Sequence, residues 1–224
     1  MSEFKYATIA VTGADAFDFL QAQLATDLDK LQQDSDAGPY RSAWCNPKGR
    51  VICTPRVRKT GDGFELSIPA DLGESVLQRL TMFRFRAKVE IELTAGPDSN
   101  AAAQLEKLQA GIPDIALAQS EKFTPHMLNL DLLDMVSVDK GCYPGQEIVA
   151  RTHFRGASKR RCLRFSCDTV VLPGNKVSDE QREIGEVVNA IDRELLAVVP
   201  LSAADSPLFV DHHALTRLPL PYSI

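Results

Sequence analysis

Two kinds of hydrophobic pattern follow one another in the first 95 residues, and their order limits what the chain can fold into. Segments typical of strands alternate apolar and polar residues, as 87–93 does. Segments typical of helices carry apolar residues three and four positions apart, as 15–31 does. Strand, helix, three strands, helix and strand in this order predict an α+β fold, with helices layered on an antiparallel sheet. The strands are expected at 6–12, 40–45, 51–57, 64–68 and 87–93, and the helices at 15–31 and 71–83.

After residue 154 the sequence pattern changes from one typical of helices to one typical of short strands. Before that point, two further helices are expected at 101–110 and 125–138. After it, short strands alternate with turns, which favours a small β-barrel or sandwich. We therefore predict two domains, an α+β domain at 1–155 and a β domain at 156–224. The strands of the second domain are expected at 162–167, 184–191 and 195–199.

Composition narrows the class of protein. Hydrophobic residues make up 44% of the chain and charged residues 25%, which is typical of a globular protein with an ordinary core. A net charge of −5 argues against a general nucleic-acid-coating role. No segment approaches the ~20 apolar residues that span a bilayer, and residues 1–6 lack the pattern of a signal peptide, so no membrane partner is expected.

The cysteines indicate a reducing compartment. Five is an odd number, and their spacing shows no regular pairing, so we expect free thiols and a cytoplasmic location. They are Cys45, Cys53, Cys142, Cys162 and Cys167.

One cysteine lies in a segment that favours reactivity, Lys-Gly-Cys-Tyr-Pro-Gly-Gln-Glu at 140–147. Pro144 suits the first position of a helix and keeps the residue before it extended, so Cys142 is expected just outside a helix N-terminus. A thiol in that position and beside Lys140 should have a lowered pKa, and the thiolate is the reactive form. The alternative is a buried cysteine that only packs, since unpaired cysteine is among the most buried residues.

A cationic run follows the cysteine segment and contains no acidic residue. It favours a site for phosphates, RNA or a polyanionic cofactor tail. Alternatively, the side chains point to solvent or pair with acidic groups elsewhere. The run consists of Arg151, Arg155, Lys159, Arg160, Arg161 and Arg164.

The sequence predicts no permanently bound metal. His126 and His153 are far apart in sequence, and Cys162 and Cys167 lack the short spacing of metal ligands. A nucleophilic cysteine of the protease type would need one of these two histidines beside Cys142.

The segment Lys-Gly-Cys-Tyr-Pro-Gly-Gln-Glu at 140–147 resembles the K-G-C-Y-x-G-Q-E signature of the YgfZ family. These are folate-binding proteins linked to tRNA modification and to assembly and repair of iron–sulfur clusters. The resemblance covers most of the chain, including segments 11–21, 43–50, 125–133 and 218–223. It implies the fold of the glycine cleavage aminomethyltransferase, the T-protein: ferredoxin-like α+β modules around a folate cavity, with a C-terminal β-barrel.

Two departures from the family pattern bear on folate. Between Leu93 and Ile112 the chain has room for one linker and one helix, where longer relatives carry most of a second α+β module. The position that resembles the T-protein's catalytic aspartate holds Cys53, which cannot supply a carboxylate. Trp44, the only tryptophan, lies in the hairpin rather than at the family's folate-binding tryptophans.

The resemblance implies an accessory factor for assembly or repair of iron–sulfur clusters, acting through Cys142 with tetrahydrofolate as a possible cofactor. Its expected partners are iron–sulfur client enzymes, including those that thiolate tRNA, and assembly proteins. Lys140 would favour the thiolate of Cys142. The residues expected to shape the loop are Gly141, Tyr143, Gly145, Gln146, Glu147 and Arg151, and those expected to contact folate are Arg151, Arg155 and Lys48.

Two other functions stay open. One is a folate-dependent one-carbon transferase using the same cavity, against which Cys53 counts. The other is a tRNA-binding module that uses the cationic run at 151–164, against which the net charge counts. Whether the protein is itself an enzyme is not decided by the sequence.

Overall fold

A computed structural model of the chain describes residues 4–30, 40–156 and 158–224. Its strands are β1 (Tyr6–Thr12), β2 (Tyr40–Arg41), β3 (Trp44–Cys45), β4 (Val51–Cys53), β5 (Arg56–Lys59), β6 (Gly63–Pro69), β7 (Glu90–Ala95), β8 (Arg160–Cys167), β9 (Lys176–Ser178), β10 (Glu183–Ile191), β11 (Glu194–Pro200), β12 (Leu208–Val210) and β13 (His213–Leu218). Its α-helices are α1 (Ala16–Gln21), α2 (Gly73–Arg84), α3 (Ala101–Gln109) and α4 (Gln146–Arg155). Single turns of 3-10 helix lie at Ala70–Leu72, Leu117–Gln119, His126–Leu128 and Leu201–Ala203.

The first half forms an antiparallel sheet in the order β2-β5-β6-β1-β7. Residues of β1 alternate between half-buried and buried, as the sequence pattern predicts. Ile9 of β1 lies opposite Leu66 of β6 and Leu93 of β7. Helices α1 and α2 contribute Leu20 and Leu80 to the same buried cluster. The path β1, α1, β5, β6, α2, β7 is ferredoxin-like, with β2 added at one edge, so the α+β prediction is confirmed.

The C-terminal strands close into a six-stranded barrel in the order β10-β11-β8-β13-β12-β9. Its interior is filled by buried side chains that include Phe165, Val177 and Val187. The barrel is the second part of the predicted fold class and is confirmed. The sequence pattern does not predict strands β9, β12 and β13, because β9 and β12 have only three residues each and β13 is mostly exposed.

The predicted helix at 125–138 is wrong. The structure has only the 3-10 turn His126–Leu128, followed by turns in which Asn129 and Asp134 adopt left-handed backbone angles (φ 59° and 53°). Left-handed residues end a helix, since an α-helix requires negative φ throughout. The apolar residues of this segment are nevertheless buried, as Leu130 and Met135 show.

The predicted helix at 15–31 is too long. Helix α1 ends at Gln21. Leu24 is buried in an isolated antiparallel bridge with Trp44 and Leu28 is buried in a turn, so neither lies on α1. Leu31 and the predicted loop at 33–39 lie outside the described residues. Asp15 precedes α1, but its carboxylate accepts the backbone N–H of Lys88 at 2.7 Å instead of capping the helix.

A second buried cluster joins the hairpin β3–β4, the segment between α3 and α4, and the outside of the barrel. It brings Cys45, Leu128 and Tyr143 together with Cys162 and Leu196. The cluster fixes the cysteine-bearing segment against both halves of the protein. The proposed domain boundary at residue 156 stays a prediction. In the described part of the chain, no helix has the length and hydropathy needed to cross a membrane.

Candidate functional site

The signature segment forms a loop before α4, here called the cysteine loop (residues 139–145). Gly141 and Cys142 are exposed at its tip, whereas the next residue, Tyr143, is buried. All five cysteines lie in the described part of the chain, and Cys142 is the only exposed one. The loop therefore presents one thiol to solvent and uses its neighbour as an anchor in the protein.

Lys140 fastens the base of the loop to the turn after α1. Its Nζ donates hydrogen bonds to the backbone carbonyls of Gln21 at 2.6 Å, Leu24 at 2.7 Å and Thr26 at 3.1 Å. An ammonium group has three N–H donors, so this set of carbonyls uses all of them. Nζ also lies 5.5 Å from the ring centroid of Tyr143. The structure thus gives Lys140 a positioning task, and its predicted effect on the Cys142 thiolate stays a prediction.

Burial lowers the pKa of Lys140 to about 8, while the carboxylates of Asp27 and Asp29 act in the opposite direction. The hydroxyl of Tyr143 is buried and has no hydrogen-bond partner among the described residues. Burial also raises the pKa of Tyr143, so this phenol stays neutral.

Two glycines allow the loop to meet the β3–β4 hairpin at backbone contact. A Cβ on Gly145 would lie 2.5 Å from the carbonyl oxygen of Asn46 and 2.7 Å from Cα of Gly49. A Cβ on Gly49 would lie 2.9 Å from Cβ of Ile148. Both glycines have positive φ, 79° and 67°, which disfavours any other residue. This contact explains why the signature needs glycine at position 145.

Helix α4 begins two residues later than the sequence predicts. Gly145 is the residue before the helix and Gln146 its first residue, so Pro144 does not occupy a helical position. The expected position of Cys142 before a helix N-terminus is found, with three residues between Cys142 and Gln146. The Gln146 side chain donates to the carbonyl of Lys140 at 3.1 Å and closes the loop on itself.

The hairpin turn at 46–49 is the one the sequence predicts. The N–H of Gly49 donates to the carbonyl of Asn46 at 2.9 Å, and the Asn46 side-chain oxygen accepts the N–H groups of Lys48 and Arg50. The Asn46 amide also donates to Glu121 at 2.6 Å, and this bond, followed by Arg79, lowers the pKa of Glu121. Sequence reasoning missed Glu121, since it lies 75 residues away from Asn46.

A shallow surface groove surrounds the Cys142 thiol, with a volume of about 580 Å³. Of the predicted site residues, the groove brings together Cys142, Tyr143, Gly145, Gln146 and Glu147. Pro47, Ile148 and Ala150 add apolar surface to its wall. In contrast, the three predicted folate contacts do not line the groove. They are Arg151, Arg155 and Lys48, and all are exposed.

The fold separates the cationic run into residues that contact other parts of the protein and residues that stay at the surface. Arg161 forms a two-point ion pair with Asp131, at 2.6 and 3.1 Å, and Arg164 pairs with Glu194 at 2.6 Å. Arg160 donates to the carbonyl of Ile184. These three arginines of β8 make contacts within the protein, and the ion pairs of Arg161 and Arg164 agree with the alternative that the run pairs with acidic groups. Arg151, Arg155 and Lys159 remain at the surface.

The two histidines considered as partners of the thiol contact one another instead. The ring centroids of His126 and His153 lie 6.2 Å apart. No hydrogen bond joins either ring to Cys142 within the residues that the structure describes. Over the same residues, no group of three or more histidine, cysteine or acidic side chains is placed to hold a metal ion.

The residues around the hairpin do not fit a folate held as the T-protein resemblance implies. Cys53, which the resemblance places at the position of the T-protein's catalytic aspartate, is 2% exposed, and burial raises the pKa of its thiol. Trp44 is likewise 2% exposed and packs in the core. Neither side chain is at the surface, so a folate bound to this protein would have to be held by other residues.

Comparisons with known proteins find similar sequences over nearly the whole chain. No family model matches the sequence. The chain is 28% identical to an uncharacterised protein of Haemophilus influenzae over 281 aligned positions, covering 100% of this chain and 99% of that protein. It is 28% identical to the tRNA-modifying protein YgfZ of Yersinia pestis over 302 positions, covering 98% of this chain and 91% of that protein. Both alignments are longer than the 224-residue chain, so these relatives contain segments that it lacks.

A solved structure extends the likeness to the fold. The glycine cleavage aminomethyltransferase T of Bartonella henselae superimposes with a TM-score of 0.74, covering 99% of this chain and 86% of that one. The sequences are only 15% identical, so this match concerns the fold alone. The signature of the cysteine loop and the alignments show that the chain is similar to YgfZ proteins over nearly its whole length, and the solved structure shows that it has the fold of the T-protein.

Proposed function

We propose that the protein is a cytoplasmic accessory factor for assembling or repairing iron–sulfur clusters, with Cys142 as its reacting group. Its clients would include enzymes that thiolate tRNA, in keeping with the name of its YgfZ relatives. The observation that carries the proposal is the single exposed thiol on a loop held by Lys140, Gln146 and Gly145. A loop anchored at each side of its tip holds the thiol in one place for a partner protein.

The other thiols are not available for the same chemistry. Burial raises the pKa of Cys45 and Cys162 to about 12, and Cys53 and Cys167 are buried as well. Iron–sulfur clusters usually take four thiolate ligands, whereas Cys142 supplies one. The proposal therefore places Cys142 in a transient step, as one ligand to iron, as a carrier of sulfur or as one half of a mixed disulfide formed by exchange with a disulfide of a partner protein. Where it binds iron, the client or an assembly protein would provide the remaining ligands.

The groove suggests roles for the neighbouring residues. Glu147 is exposed at its rim and Ile148 adds apolar surface, so both are available to a docking partner. Gly141 leaves open space around the thiol, since a Cβ there would meet nothing within 4 Å. Lys140 and Gln146 fix the loop backbone, and Arg151, one turn into α4, would attract an anionic group.

The test is complementation in cells that lack the chromosomal copy, with tRNA thiolation measured by mass spectrometry. Cys142→Ala is expected to reduce thiolation to the level of the deletion strain. Cys167→Ala, a buried cysteine of the barrel, is the matched control and is expected to restore it. Full restoration by a folded Cys142→Ala protein would contradict the proposal.

Tetrahydrofolate enters the proposal through the T-protein fold, which supports it as a ligand to test. A calorimetric titration of the purified protein separates two cases. Saturable micromolar binding would support a folate-assisted factor, and a change in that binding on Arg151→Gln would support the predicted contact. A folded sample that binds nothing at millimolar ligand would leave a factor that works through the thiol alone. The one-carbon transferase is disfavoured because Cys53 is buried where that chemistry needs a carboxylate.

A tRNA contact is supported by two observations, the name of the YgfZ relatives and the exposed cations Arg151, Arg155 and Lys159. Replacing these three residues with glutamine is expected to weaken tRNA binding and to reduce its dependence on salt. Binding that is unchanged in both respects would argue against this contact.

A further inference from the structure

Helix α4, which begins at the cysteine loop, exposes apolar side chains among cations. Phe154 is 70% exposed and Ile148 is 38% exposed. Within α4 the buried residue is Val149, so the helix packs against the protein along one side. Residues three and four positions apart are neighbours on a helix, so Arg151 lies next to both Phe154 and Arg155. An aromatic ring and two guanidinium groups therefore share one exposed face.

The cations of this face are not neutralised by the protein. Arg151, Arg155 and the following Lys159 are exposed, and none of them forms an ion pair in the part of the chain that the structure describes. The acidic residue of the helix, Glu147, lies in its first turn, so the last two turns carry only positive charge. An aromatic ring such as Phe154 among unpaired cations suits a polyanion with flat apolar groups, which is the chemistry of RNA with unpaired bases.

The Phe154 ring is held in place from inside the protein. His153 meets it edge to face, with ring centroids 5.0 Å apart and an interplanar angle of 89°. This is one of the arrangements that aromatic pairs prefer. The ring of His153 in turn lies 6.2 Å from that of His126, which is 3% exposed. A ring that is already positioned loses little freedom when a base stacks on it.

A cationic groove on the barrel continues this surface. It has a volume of about 450 Å³, and Met127 lines it. Met127 follows His126 in the same 3-10 turn, so the groove and α4 border the same turn. Cations outnumber carboxylates in the lining, which leaves an excess of positive charge suited to phosphates. The cations are Arg50, Lys122, Arg160 and Lys176, and the carboxylates are those of Glu183 and Glu186.

We propose that this surface binds single-stranded RNA, with an unpaired base stacked on Phe154 and phosphates held by Arg151, Arg155 and the cationic groove. The inference rests on the tRNA contact of the proposed function and adds the form of RNA that is bound. In a duplex the bases already stack on one another, so a duplex offers no base to the Phe154 ring. Ile148 also lines the groove around Cys142, so bound RNA lies beside the thiol.

The test is fluorescence anisotropy with a labelled single-stranded RNA of about 12 nucleotides, compared with the same RNA annealed to its complement. Phe154→Ala is expected to weaken binding of the single strand about fivefold or more and to leave binding of the duplex unchanged. Phe154→Tyr keeps the ring and is expected to retain the wild-type affinity. Leu172→Ala, which truncates an apolar residue that is 64% exposed after β8, is the control and is expected to bind like the wild type.

The salt dependence of binding gives a second readout. A stacked ring releases no counterions, so Phe154→Ala is expected to keep the wild-type slope with salt, whereas loss of the cations lowers it. Equal affinity of the wild type and Phe154→Ala for the single strand would overturn the inference and leave the tRNA contact in place. Equal losses in the Ala and Tyr variants would also overturn it.

Further outcomes separate this inference from the proposed function. A folded wild-type protein that binds no RNA would overturn both the inference and the tRNA contact. Binding to vesicles of anionic phospholipid without binding to RNA would overturn them as well, because the cationic face would then serve a lipid surface. None of these outcomes bears on the thiol of Cys142, whose role is tested by complementation.

Discussion

The ferredoxin-like sheet and the segment 96–145 are built by different means. The sheet rests on strand pairing and on a buried cluster in which Ile9, Leu66 and Ile68 are almost completely inaccessible. The segment 96–145 has one α-helix, α3, and otherwise consists of turns. Yet the segment carries Cys142, the residue on which the proposed function depends.

Side chain-to-backbone hydrogen bonds replace secondary structure in that segment. Thr26 donates its hydroxyl to the carbonyl of Met135 at 2.9 Å, and Lys140 binds three carbonyls of the turns after α1. Asn189 of the barrel exchanges two hydrogen bonds of 2.9 Å with the backbone of Asp114. The comparison teaches that the sheet and barrel supply the stability, while individual polar contacts place the candidate sites.

The largest change in the free energy of unfolding is expected for a substitution in the sheet. Ile9→Ala removes a side chain that is 0% exposed in β1, an interior strand of the sheet, so it should lower the free energy of unfolding by about 2–5 kcal/mol. Urea unfolding followed by circular dichroism measures the loss. Glu92→Ala, exposed on the neighbouring strand β7, is the control and should change stability by less than about 0.5 kcal/mol. Equal effects of the two variants would show that the sheet is not where stability resides.

An intermediate effect is expected where the segment meets the hairpin. Gly145→Ala combines a positive φ with a Cβ only 2.5 Å from the Asn46 carbonyl oxygen, which should cost about 1–3 kcal/mol. Gly141→Ala, four residues away in the same loop, would meet nothing within 4 Å and is the matched control. The free energies of unfolding of both variants test the difference. A Gly145→Ala protein as stable as Gly141→Ala would show that the loop can move off the hairpin without cost.

The same contrast explains what the sequence predicts well. The alternation in β1 and β6 reflects burial on one face of a sheet, which is a local property, so both strands are found close to their expected positions. In the segment, the apolar positions Leu130 and Met135 are buried as expected but not on a helix. Asn129 donates its side chain to the carbonyl of Cys162 at 2.6 Å and turns the chain with a left-handed φ. A partner 33 residues away cannot be seen in a local pattern.

In the candidate site too, local features are predictable from the sequence, whereas contacts with distant residues are not. The exposed position of Cys142 before a helix agrees with the expectation from Lys140, Pro144 and the helical pattern that follows. The contacts of Lys140 with carbonyls more than 110 residues earlier depend on how the turns after α1 fold. These features needed the three-dimensional structure.

A smaller effect is expected from the charge of Lys140, and it depends on pH. The pKa of Lys140 is about 8 in the folded protein, below its ordinary value of 10.5, because burial disfavours the charged form. Between these values the unfolded chain binds more protons than the folded one, so this group makes stability rise with pH through that window. Below about pH 8 both states are protonated and the contribution is constant.

Lys140→Met tests this by removing the titrating group while keeping the length of the side chain. Chemical unfolding of the wild type and the variant is compared across the window from pH 8 to 10.5. The stability of the wild type relative to the variant is expected to increase with pH. Parallel curves would mean that the three carbonyl acceptors hold the ammonium at its ordinary pKa.

The smallest effect on stability is expected at the most important position of the proposed function. Cys142 is exposed and has no hydrogen bond to another described residue, so Cys142→Ala should change the free energy of unfolding by less than about 0.5 kcal/mol. A thiol reagent should modify one cysteine rapidly in the native wild type and none rapidly in the variant, since the other four are buried. A variant that unfolds readily would instead show that Cys142 is a packing residue, and the segment would then share the structural task of the sheet. A stable variant that has no fast-reacting thiol would show that the sheet stabilises the fold while the cysteine loop supplies the reactive group.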